Sequence, residues 1–520
     1  MPTLKRVAPD SALLTPLNAA LLALAIFAHY QLYVWLSTYL RQRQVIRQNG
    51  CLPAYKYPHK GLLGRWLGLD VMKEFLRQGK EGQMLEGLRK RNYGDGIYTL
   101  TSRRLTQTVI NTIEPENIKA ILATDFQSYS LGQSRRDIFI PLFGPGIFDL
   151  DGHGWERSRS LIRPNFVRAQ VADLDMFESH VQELLAHVPR DGSTVDLQPL
   201  FFGLTMDSAT EFLFGKSTNS LAPGLETDTA AQFVRAFVYC TERVSIELRS
   251  FGLLKYVPNP TWRKQVKVVH EFADNIVNEA LVKMRDEKFV EALNTGKQKY
   301  TFLYELCSRT QDPYTVRSEL LNVLLAGRDT TAGLLSNTWH VLSKRKDIWD
   351  KLQAEVDTLN GERPDYQALK DLKYLKWVMN ESLRLMPVVP GNSRQAVRDT
   401  VLPLGGGPDQ KSPVFVPKGC VVQYHVWSMH RRQDYYGEDA HEFKPERWES
   451  IRPGWEYLPF NGGPRICVGQ QYALLEAGYV TVRLMQAFKR MESRDEREWR
   501  EWMTITLSSG VGCKVALYEK

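Results

Sequence analysis

Residues 460–469 read Phe-Asn-Gly-Gly-Pro-Arg-Ile-Cys-Val-Gly and decide how the rest of the chain is interpreted. The two glycines and the proline favour an irregular loop, and the apolar, helix-prone run 472–485 follows it. Backbone N–H groups at a helix entrance, together with nearby Arg465, are expected to lower the pKa of the Cys467 thiol. Iron is the cation that would hold such a lone thiolate and leave its other axial position open. An inert buried cysteine is the alternative, and it is the commoner fate of a cysteine considered alone.

The composition of the chain is that of an ordinary globular protein. Its 520 residues are 43% hydrophobic and 24% charged, which argues against extensive disorder and against a polytopic membrane protein. The net charge of +8 is small and no aromatic-basic motif accompanies it, so no nucleic-acid partner is predicted. A basic surface facing acidic lipid or an acidic protein fits better. The six cysteines are scattered without a CxxC pair, which argues against a disulfide framework or a zinc site.

The N-terminal region carries a long apolar segment. Residues 17–40 are mostly apolar and lack a formal charge, which is enough to cross a bilayer. Arg41, Arg43 and Arg47 follow, so the positive-inside rule places the catalytic bulk in the cytosol, with a single-pass anchor in the endoplasmic reticulum membrane. An amphipathic helix lying on the membrane is the alternative. We therefore divide the chain into an anchor segment, 1–40, a basic linker containing proline and glycine, 41–64, and a catalytic domain, 65–520.

Beyond the linker the sequence predicts a mainly helical body with a small β portion. The predicted helices are 115–123, 177–187, 230–248, 262–288, 316–344 and 348–360. The predicted strands are 97–100, 106–111, 414–416 and 421–424. No internal repeat is present, and length alone would allow two or three domains.

The apolar helix predicted at 316–344 contains an unexpected polar stretch. Residues 324–331 read Leu-Leu-Ala-Gly-Arg-Asp-Thr-Thr, and a mid-helix glycine costs about 1 kcal/mol relative to alanine. A kinked surface helix with Asp329 in solvent is one explanation. The flanking leucines favour burial instead, which would place these polar groups inside the protein.

Four motifs together resemble the cytochrome P450 family, and the resemblance covers nearly the whole chain. Residues 460–469 match FxxGxRxCxG at Phe460, Gly463, Arg465, Cys467 and Gly469. The other motifs are Glu381-Ser382-Leu383-Arg384 (ExxR) with Arg447, the oxygen-activation pattern at 326–330, and Trp155 with Arg159 (WxxxR). The resemblance implies one large, mainly α haem domain behind a membrane-anchor helix, which replaces the expectation of several domains.

The resemblance also implies roles for individual residues. Cys467 would ligate the iron of haem b, Thr330 would hydrogen-bond dioxygen and Asp329 would relay protons. Phe460 belongs to the haem-binding loop. The haem propionates would be bound by Trp155, Arg159, Arg394 and Arg465. Surface basic residues are the alternative for Arg159. The network of Glu381, Arg384 and Arg447 would stabilise the core around the haem and perform no chemistry.

Such an enzyme inserts one oxygen atom of O2 into a C–H bond and takes its electrons from outside. The chain carries no flavin or nicotinamide fingerprint, so NADPH would act indirectly, through a separate NADPH–cytochrome P450 reductase docking on the basic face near Cys467. Cytochrome b5 is a second candidate partner. A thiolate-haem isomerase or a non-catalytic haem-binding membrane protein is the alternative from another class, against which the intact Asp329 and Thr330 argue.

The segments between the motifs resemble the fungal alkane and fatty-acid hydroxylases. These segments are 57–60, 130–135, 141–148, 151–152 and 158–166. The resemblance implies a long-chain hydrophobic substrate hydroxylated at its terminal (ω) carbon; a fungal secondary-metabolite tailoring oxidase is the alternative. Asp149 and Gly391 depart from the group. The candidate substrate-lining residues are Leu131, Phe139, Phe148, Ala326, Val388, Val389 and Leu507, for each of which ordinary core packing remains open.

Overall fold

The computed structural model describes residues 16–94, 96–105, 107–166, 173–222, 228–250, 253–299 and 301–519. Helices dominate it, which confirms the mainly α prediction. The α-helices are α1 Pro16–Gln48, α2 Gly61–Leu67, α3 Leu69–Glu81, α4 Met84–Tyr93, α5 Pro115–Lys119, α6 Gln133–Phe143, α7 Gly152–Ile162, α8 Leu174–Ala186, α9 Leu197–Phe214, α10 Thr229–Arg249, α11 Pro260–Lys283, α12 Glu287–Asn294, α13 Phe302–Arg309, α14 Pro313–Lys344, α15 Lys346–Asp357, α16 Tyr366–Asp371, α17 Lys373–Leu385, α18 Val426–Met429, α19 Gln433–Tyr436 and α20 Gln470–Ala487.

The strands form a small β portion beside the helices. They are β1 Tyr55–Lys56, β2 Thr99–Arg104, β3 Gln107–Thr112, β4 Tyr129–Ser130, β5 Val195–Asp196, β6 Asn392–Ala396, β7 Thr400–Gly406, β8 Ser412–Val416, β9 Val421–Tyr424, β10 Phe488–Ser493, β11 Glu501–Met503, β12 Leu507–Ser509 and β13 Lys514–Glu519. A six-stranded mixed sheet has the order β1-β2-β3-β9-β6-β4. The smaller sheets are β10-β13-β5, β11-β12 and β7-β8.

The long helix α14 runs through the middle of the catalytic body. It is almost entirely buried and packs against α9, α11, α17 and α20. Apolar side chains on both sides of α14 form two large clusters, and a third lies on the six-stranded sheet. Helix α14 is continuous from Pro313 to Lys344, and most of its residues are buried. The polar stretch at its middle therefore lies inside the protein rather than at a surface kink.

The N-terminal helix α1 projects from this body. Among the described residues it is the helix long and apolar enough to cross a membrane, and its apolar window is fully exposed. It ends at Gln48 rather than at Leu40, so it includes the first part of the predicted linker. The following chain joins the sheet at once, because Tyr55 and Lys56 pair with β2. Residues 54–56 therefore belong to the catalytic body rather than to a linker.

The structure corrects the bounds of several predicted elements. The helix predicted at 262–288 is two helices, because α11 ends at Lys283 and Asp286 caps α12 by accepting a hydrogen bond from the Lys288 N–H at 3.0 Å. The strand predicted at 97–100 is β2, displaced toward the C-terminus. Residue 106, at the start of a predicted strand, lies outside the described residues. Helix α10 and strand β9 follow the predictions to within a residue.

Candidate active site

A loop at residues 460–469 carries the Cys467 thiol. Gly463 has a φ of 65°, and a Cβ atom there would lie 2.0 Å from the carbonyl oxygen of Leu122, so this position requires glycine. The Cys467 N–H donates to the carbonyl of Phe460 at 3.0 Å. The loop thus holds the thiol on the wall of a cavity of about 630 Å³.

The surroundings of the Cys467 thiol oppose its ionisation in the free protein. The Cys467 side chain is exposed to the cavity, and desolvation by the protein around it raises its pKa, whereas the Gly469 N–H and the Arg159 guanidinium each lower it by a smaller amount. Of the two expected causes, a backbone N–H does lower the pKa, whereas Arg465 does not: the contributing cation is Arg159, and desolvation outweighs both effects. A bound metal cation removes the difficulty, because metal binding to a cysteine displaces its proton.

Four arginines line the cavity on one side. We call Arg135, Arg159, Arg394 and Arg465 the arginine cluster. Three of them are residues predicted to bind propionates, whereas Arg135 escaped the sequence analysis. Its only sequence signal was its place in the segment 130–135, and its partner Asn392 lies far along the chain.

Arg465 occupies the centre of the arginine cluster. It donates to Asp151 at 2.8 Å and to the carbonyl of Leu150 at 2.9 Å, and its guanidinium carbon lies 4.5 Å from the centre of the Trp155 ring. Burial, together with the charge of Arg394, lowers its pKa to about 10. Positive charge is therefore concentrated beside the cavity.

Arg135 and Arg394 share the amide oxygen of Asn392. Arg135 donates to it at 2.6 Å and Arg394 at 3.2 Å. The Nε of Arg394 is buried and has no hydrogen-bond partner among the described groups. Burial lowers the pKa of Arg135 to about 10, with the nearby charge of Arg394 adding to the effect. This surplus of buried donors and charge fits the propionate carboxylates of a haem whose iron is held by Cys467.

Helix α14 presents Ala326, Gly327 and Thr330 to the same cavity. The Thr330 hydroxyl donates to the carbonyl of Ala326 at 2.6 Å. Asp329 is placed differently: it is buried, does not line the cavity and forms an ion pair with Arg328. The structure therefore brings Thr330 to the cavity with Cys467 but keeps Asp329 behind the wall.

A buried carboxyl group that the sequence analysis missed lies beside this wall. Glu476 on α20 is fully buried and accepts a hydrogen bond from the Ser208 hydroxyl. Burial raises its pKa to about 7. Thr331, which lines the cavity, is close enough to lower that pKa slightly, although its geometry falls short of a hydrogen bond. Only tertiary packing brings these residues together.

The predicted charge network around Glu381 is present and buried. Arg384 donates to the two carboxylate oxygens of Glu381 at 2.7 and 2.9 Å, and Arg447 donates at 2.8 Å. The Trp448 indole donates at 3.0 Å. None of these residues lines the cavity, so the network stabilises the body around the site and contacts no reactant.

Most of the predicted substrate residues line the cavity. Those that do are Leu131, Phe139, Phe148, Ala326, Val388 and Val389, and the haem-loop residue Phe460 joins them. The prediction for Leu507 is wrong. Leu507 is 0% exposed and packs in the core, because β12 turns its side chain inward, and the cavity is lined instead by the preceding residues Met503, Thr504, Ile505 and Thr506.

The two departures from the resembled group have different consequences. Asp149 is fully buried and does not line the cavity; it accepts from the Gly146 N–H at 2.8 Å, and burial raises its pKa to about 6. Gly391 does line the cavity, where a larger side chain would meet the carbonyl of Tyr424. Gly391 is therefore part of the cavity wall, whereas Asp149 does not contact the cavity.

Comparisons with known proteins agree with this geometry. The family model described as Cytochrome P450 matches residues 74–510. The chain is 45% identical to cytochrome P450 monooxygenase fsdH of Fusarium heterosporum over 95% of this chain and 87% of that protein. It is 44% identical to cytochrome P450 52A13 of Debaryomyces hansenii, over 85% of this chain and 88% of the relative. It is also 45% identical to cytochrome P450 monooxygenase himC of Aspergillus japonicus, over 92% and 85%.

Proposed function

Because the chain belongs to the cytochrome P450 family and is a haem-thiolate monooxygenase, we propose that it hydroxylates the terminal carbon of long-chain fatty acids or n-alkanes. The observation that carries the proposal is the cavity wall: Cys467 and Thr330 face one enclosed space whose other sides are largely apolar. The similarity to cytochromes P450 52A supports the resemblance to fungal alkane and fatty-acid hydroxylases.

The residues of the site divide the work of binding and proton handling. Cys467 would hold the haem iron, and the arginine cluster with Trp155 would hold the propionates. The bound haem supplies the activation of dioxygen. The Thr330 hydroxyl would hold and deliver a proton at the cavity wall. Asp329 can take part in a relay only by leaving its ion pair with Arg328.

Partners and location follow from the same proposal. We expect electrons from an NADPH–cytochrome P450 reductase docking on the basic face near Cys467, with cytochrome b5 as a second donor. Helix α1 would anchor the protein in the endoplasmic reticulum membrane, with the catalytic body in the cytosol. Residues 1–15, whose charges enter the positive-inside comparison, lie outside the described residues.

The first experiment is NADPH-dependent turnover by the full chain with a fungal reductase. The substrates are saturated and unsaturated fatty acids beside n-alkanes, with products identified by mass spectrometry. Terminal hydroxylation of either class supports the proposal. The control is Cys467→Ser, which should lose the red-shifted Soret band of the reduced carbon monoxide complex; a retained band would mean that another residue ligates the iron.

The role of Thr330 needs a separate measurement. In Thr330→Ala the haem should be retained while NADPH consumption yields peroxide instead of product, because the proton donor at the wall is gone. Thr330→Ser keeps a hydroxyl and is the matched control. Tight coupling of NADPH to product in Thr330→Ala would remove Thr330 from the proton pathway.

A second candidate is the oxidation of a secondary metabolite. The similarity to the monooxygenases fsdH and himC favours it. Protein that shows a normal carbon monoxide spectrum but oxidises neither fatty acids nor alkanes would select this candidate. Product formed without NADPH would instead select an isomerase.

A further inference from the structure

A second polar region lies on the cavity wall, outside the arginine cluster. It consists of Ser245 and Arg249 on the last turns of α10, both of which line the cavity. Their spacing of four residues places them on the same helix face. Burial is what lowers the pKa of Arg249, and no member of the arginine cluster contributes to that shift.

The Ser245 hydroxyl is buried and has no partner. Ser245 is 1% exposed, and its Oγ forms no hydrogen bond within the described part of the chain. A helical serine or threonine usually donates to a carbonyl one turn earlier. Thr241 and Ser250 on the same helix do so, to Val238 at 2.9 Å and Glu247 at 3.0 Å. Ser245 is therefore a buried donor beside the cavity without an acceptor.

Arg249 is a partly buried cation without a carboxylate partner. One of its Nη atoms donates to the carbonyl of Met503 at 2.7 Å. Across the described ranges no Asp or Glu oxygen lies within 4.0 Å of its guanidinium, and burial is the sole cause of its lowered pKa. Burying an unpaired charge is costly, and an anion supplied by a ligand would offset that cost.

The β11–β12 hairpin connects this region to the haem side of the chamber. Met503, the acceptor for Arg249, is paired with Leu507, whose N–H donates to the carbonyl of Val388 at 2.9 Å. A Cβ at Gly333 of α14 would lie 2.9 Å from the Leu507 carbonyl oxygen, so the hairpin rests on the helix that carries Thr330. Ligand atoms can therefore extend from Arg249, along the hairpin tip, to the wall at Thr330.

We propose that Arg249 and Ser245 bind the carboxylate of a long-chain fatty acid, so that this enzyme selects fatty acids over n-alkanes of equal length. This inference rests on the proposed terminal hydroxylation. The guanidinium offers an ion pair and the serine a neutral hydrogen bond, and both are satisfied by a carboxylate. An alkane satisfies neither and would leave both groups buried without partners.

Arg91 is a further cavity-lining cation outside the arginine cluster, and it fits the role less well although one of its nitrogens is unpartnered. It donates to Asn92 at 3.1 Å, lies 6.0 Å from the Tyr57 ring centre and already feels the negative charges of Glu74 and Asp70. Those acids compensate part of its charge. Arg249 has no such compensation, which is why we assign the carboxylate to it.

The test compares palmitate, methyl palmitate and n-hexadecane as ligands of the holoenzyme. Binding is measured from the substrate-induced Soret shift and turnover from the hydroxylated products. Arg249→Met should weaken palmitate binding about 10- to 100-fold, the usual loss for a hydrogen bond to a charged group, and leave methyl palmitate within about twofold. Arg249→Lys should recover much of the loss, and Ser245→Ala should give a smaller decrease. Arg235→Met, an exposed change on the same helix, is the control.

The outcomes separate this inference from the proposed function. If the wild type hydroxylates none of the three compounds, both the terminal hydroxylase function and the carboxylate site at Arg249 are overturned. A different outcome is that the wild type hydroxylates palmitate while Arg249→Met binds palmitate unchanged, or loses affinity for palmitate and methyl palmitate equally. In that case only the carboxylate site at Arg249 is overturned. A selective loss of palmitate in Arg91→Met instead would place the carboxylate at the other wall and overturn the assignment to Arg249.

Discussion

Glu381 and Glu476 are both 0% exposed, yet the protein treats the two carboxyl groups differently. Glu381 is held by Arg384 and Arg447 and receives a further hydrogen bond from Trp448. Glu476 receives a hydrogen bond from Ser208 alone, its second oxygen is unpartnered, and no cation within the described residues forms an ion pair with it.

This difference shows what a buried carboxylate requires. Two guanidinium groups compensate the buried charge of Glu381, so this carboxylate is part of the structural framework. Without them, the pKa of Glu476 rises to about 7, so its protonation can change near neutral pH. A buried glutamate thus stabilises the structure through ion pairs at Glu381, whereas at Glu476 it can gain or lose a proton near neutral pH.

The largest effect should come from disrupting the ion-pair network of Glu381, Arg384 and Arg447. Arg384→Met removes the guanidinium that donates to both oxygens of the fully buried Glu381, and should lower the free energy of unfolding by about 3–5 kcal/mol. Urea unfolding followed by the haem spectrum measures this loss. The control is Lys346→Met, which breaks the exposed pair with Asp350 and should cost less than about 1 kcal/mol. An equal loss in the free energy of unfolding for the two variants would refute a stabilising role for the Glu381 network.

A smaller, pH-dependent effect should follow from Glu476→Gln. A glutamate whose folded pKa is raised contributes stability that is present below its unfolded value of 4.5 and is lost as the pH rises to about 7. Glutamine removes this loss. The variant should therefore gain about 2 kcal/mol relative to the wild type between about pH 5 and about pH 7.5, measured by urea unfolding at both values.

The difference between the two unfolding curves is the quantity to compare. Burial also raises the pKa values of Glu319 and Glu501 to about 7, so the wild type should keep a pH slope of its own in either case. Because both groups remain in Glu476→Gln, they cancel in the difference. Parallel curves for the wild type and the variant would show that Glu476 does not titrate in this range.

The smallest effect should come from Ser208→Ala. Losing the hydroxyl that donates to Glu476 should cost about 1 kcal/mol at about pH 7.5 and less at about pH 5, because the hydrogen bond favours the ionised carboxylate. A double-mutant cycle with Glu476→Gln measures the coupling. Strictly additive effects would show that the two side chains do not interact.

The sequence predicted features that are encoded locally. The loop around Cys467 requires a glycine at Gly463, and Glu381 and Arg384 lie on one helix face, so both are visible in a short stretch of residues. The amphipathic period likewise predicted α10 almost to the residue. Local steric and periodic rules are strong enough at these places to determine the outcome.

The features that escaped prediction depend on distant partners. The hydrogen bonds from Arg135 to Asn392 and from Ser208 to Glu476 join residues that are far apart in sequence. Neither hydrogen bond is indicated by a pattern in the flanking residues. Leu507 was misplaced because it was chosen by resemblance alone, and no local pattern shows that its side chain packs in the core instead of facing the cavity. A resemblance identifies the neighbourhood of such residues but not their orientation.

The junction between α1 and the six-stranded sheet is short and well connected. Arg41 reaches Asp399 at 3.4 Å, the Cys51 N–H donates to the Ile46 carbonyl, and the Leu52 N–H donates to Pro413, each at 2.9 Å. These contacts make the junction a rigid connection rather than a flexible linker, so a change in the tilt of α1 would also reorient the catalytic body. A transmembrane helix adjusts its tilt to bilayer thickness, so with α1 as the proposed anchor a thicker or thinner membrane would change the orientation of the catalytic body relative to the lipid surface.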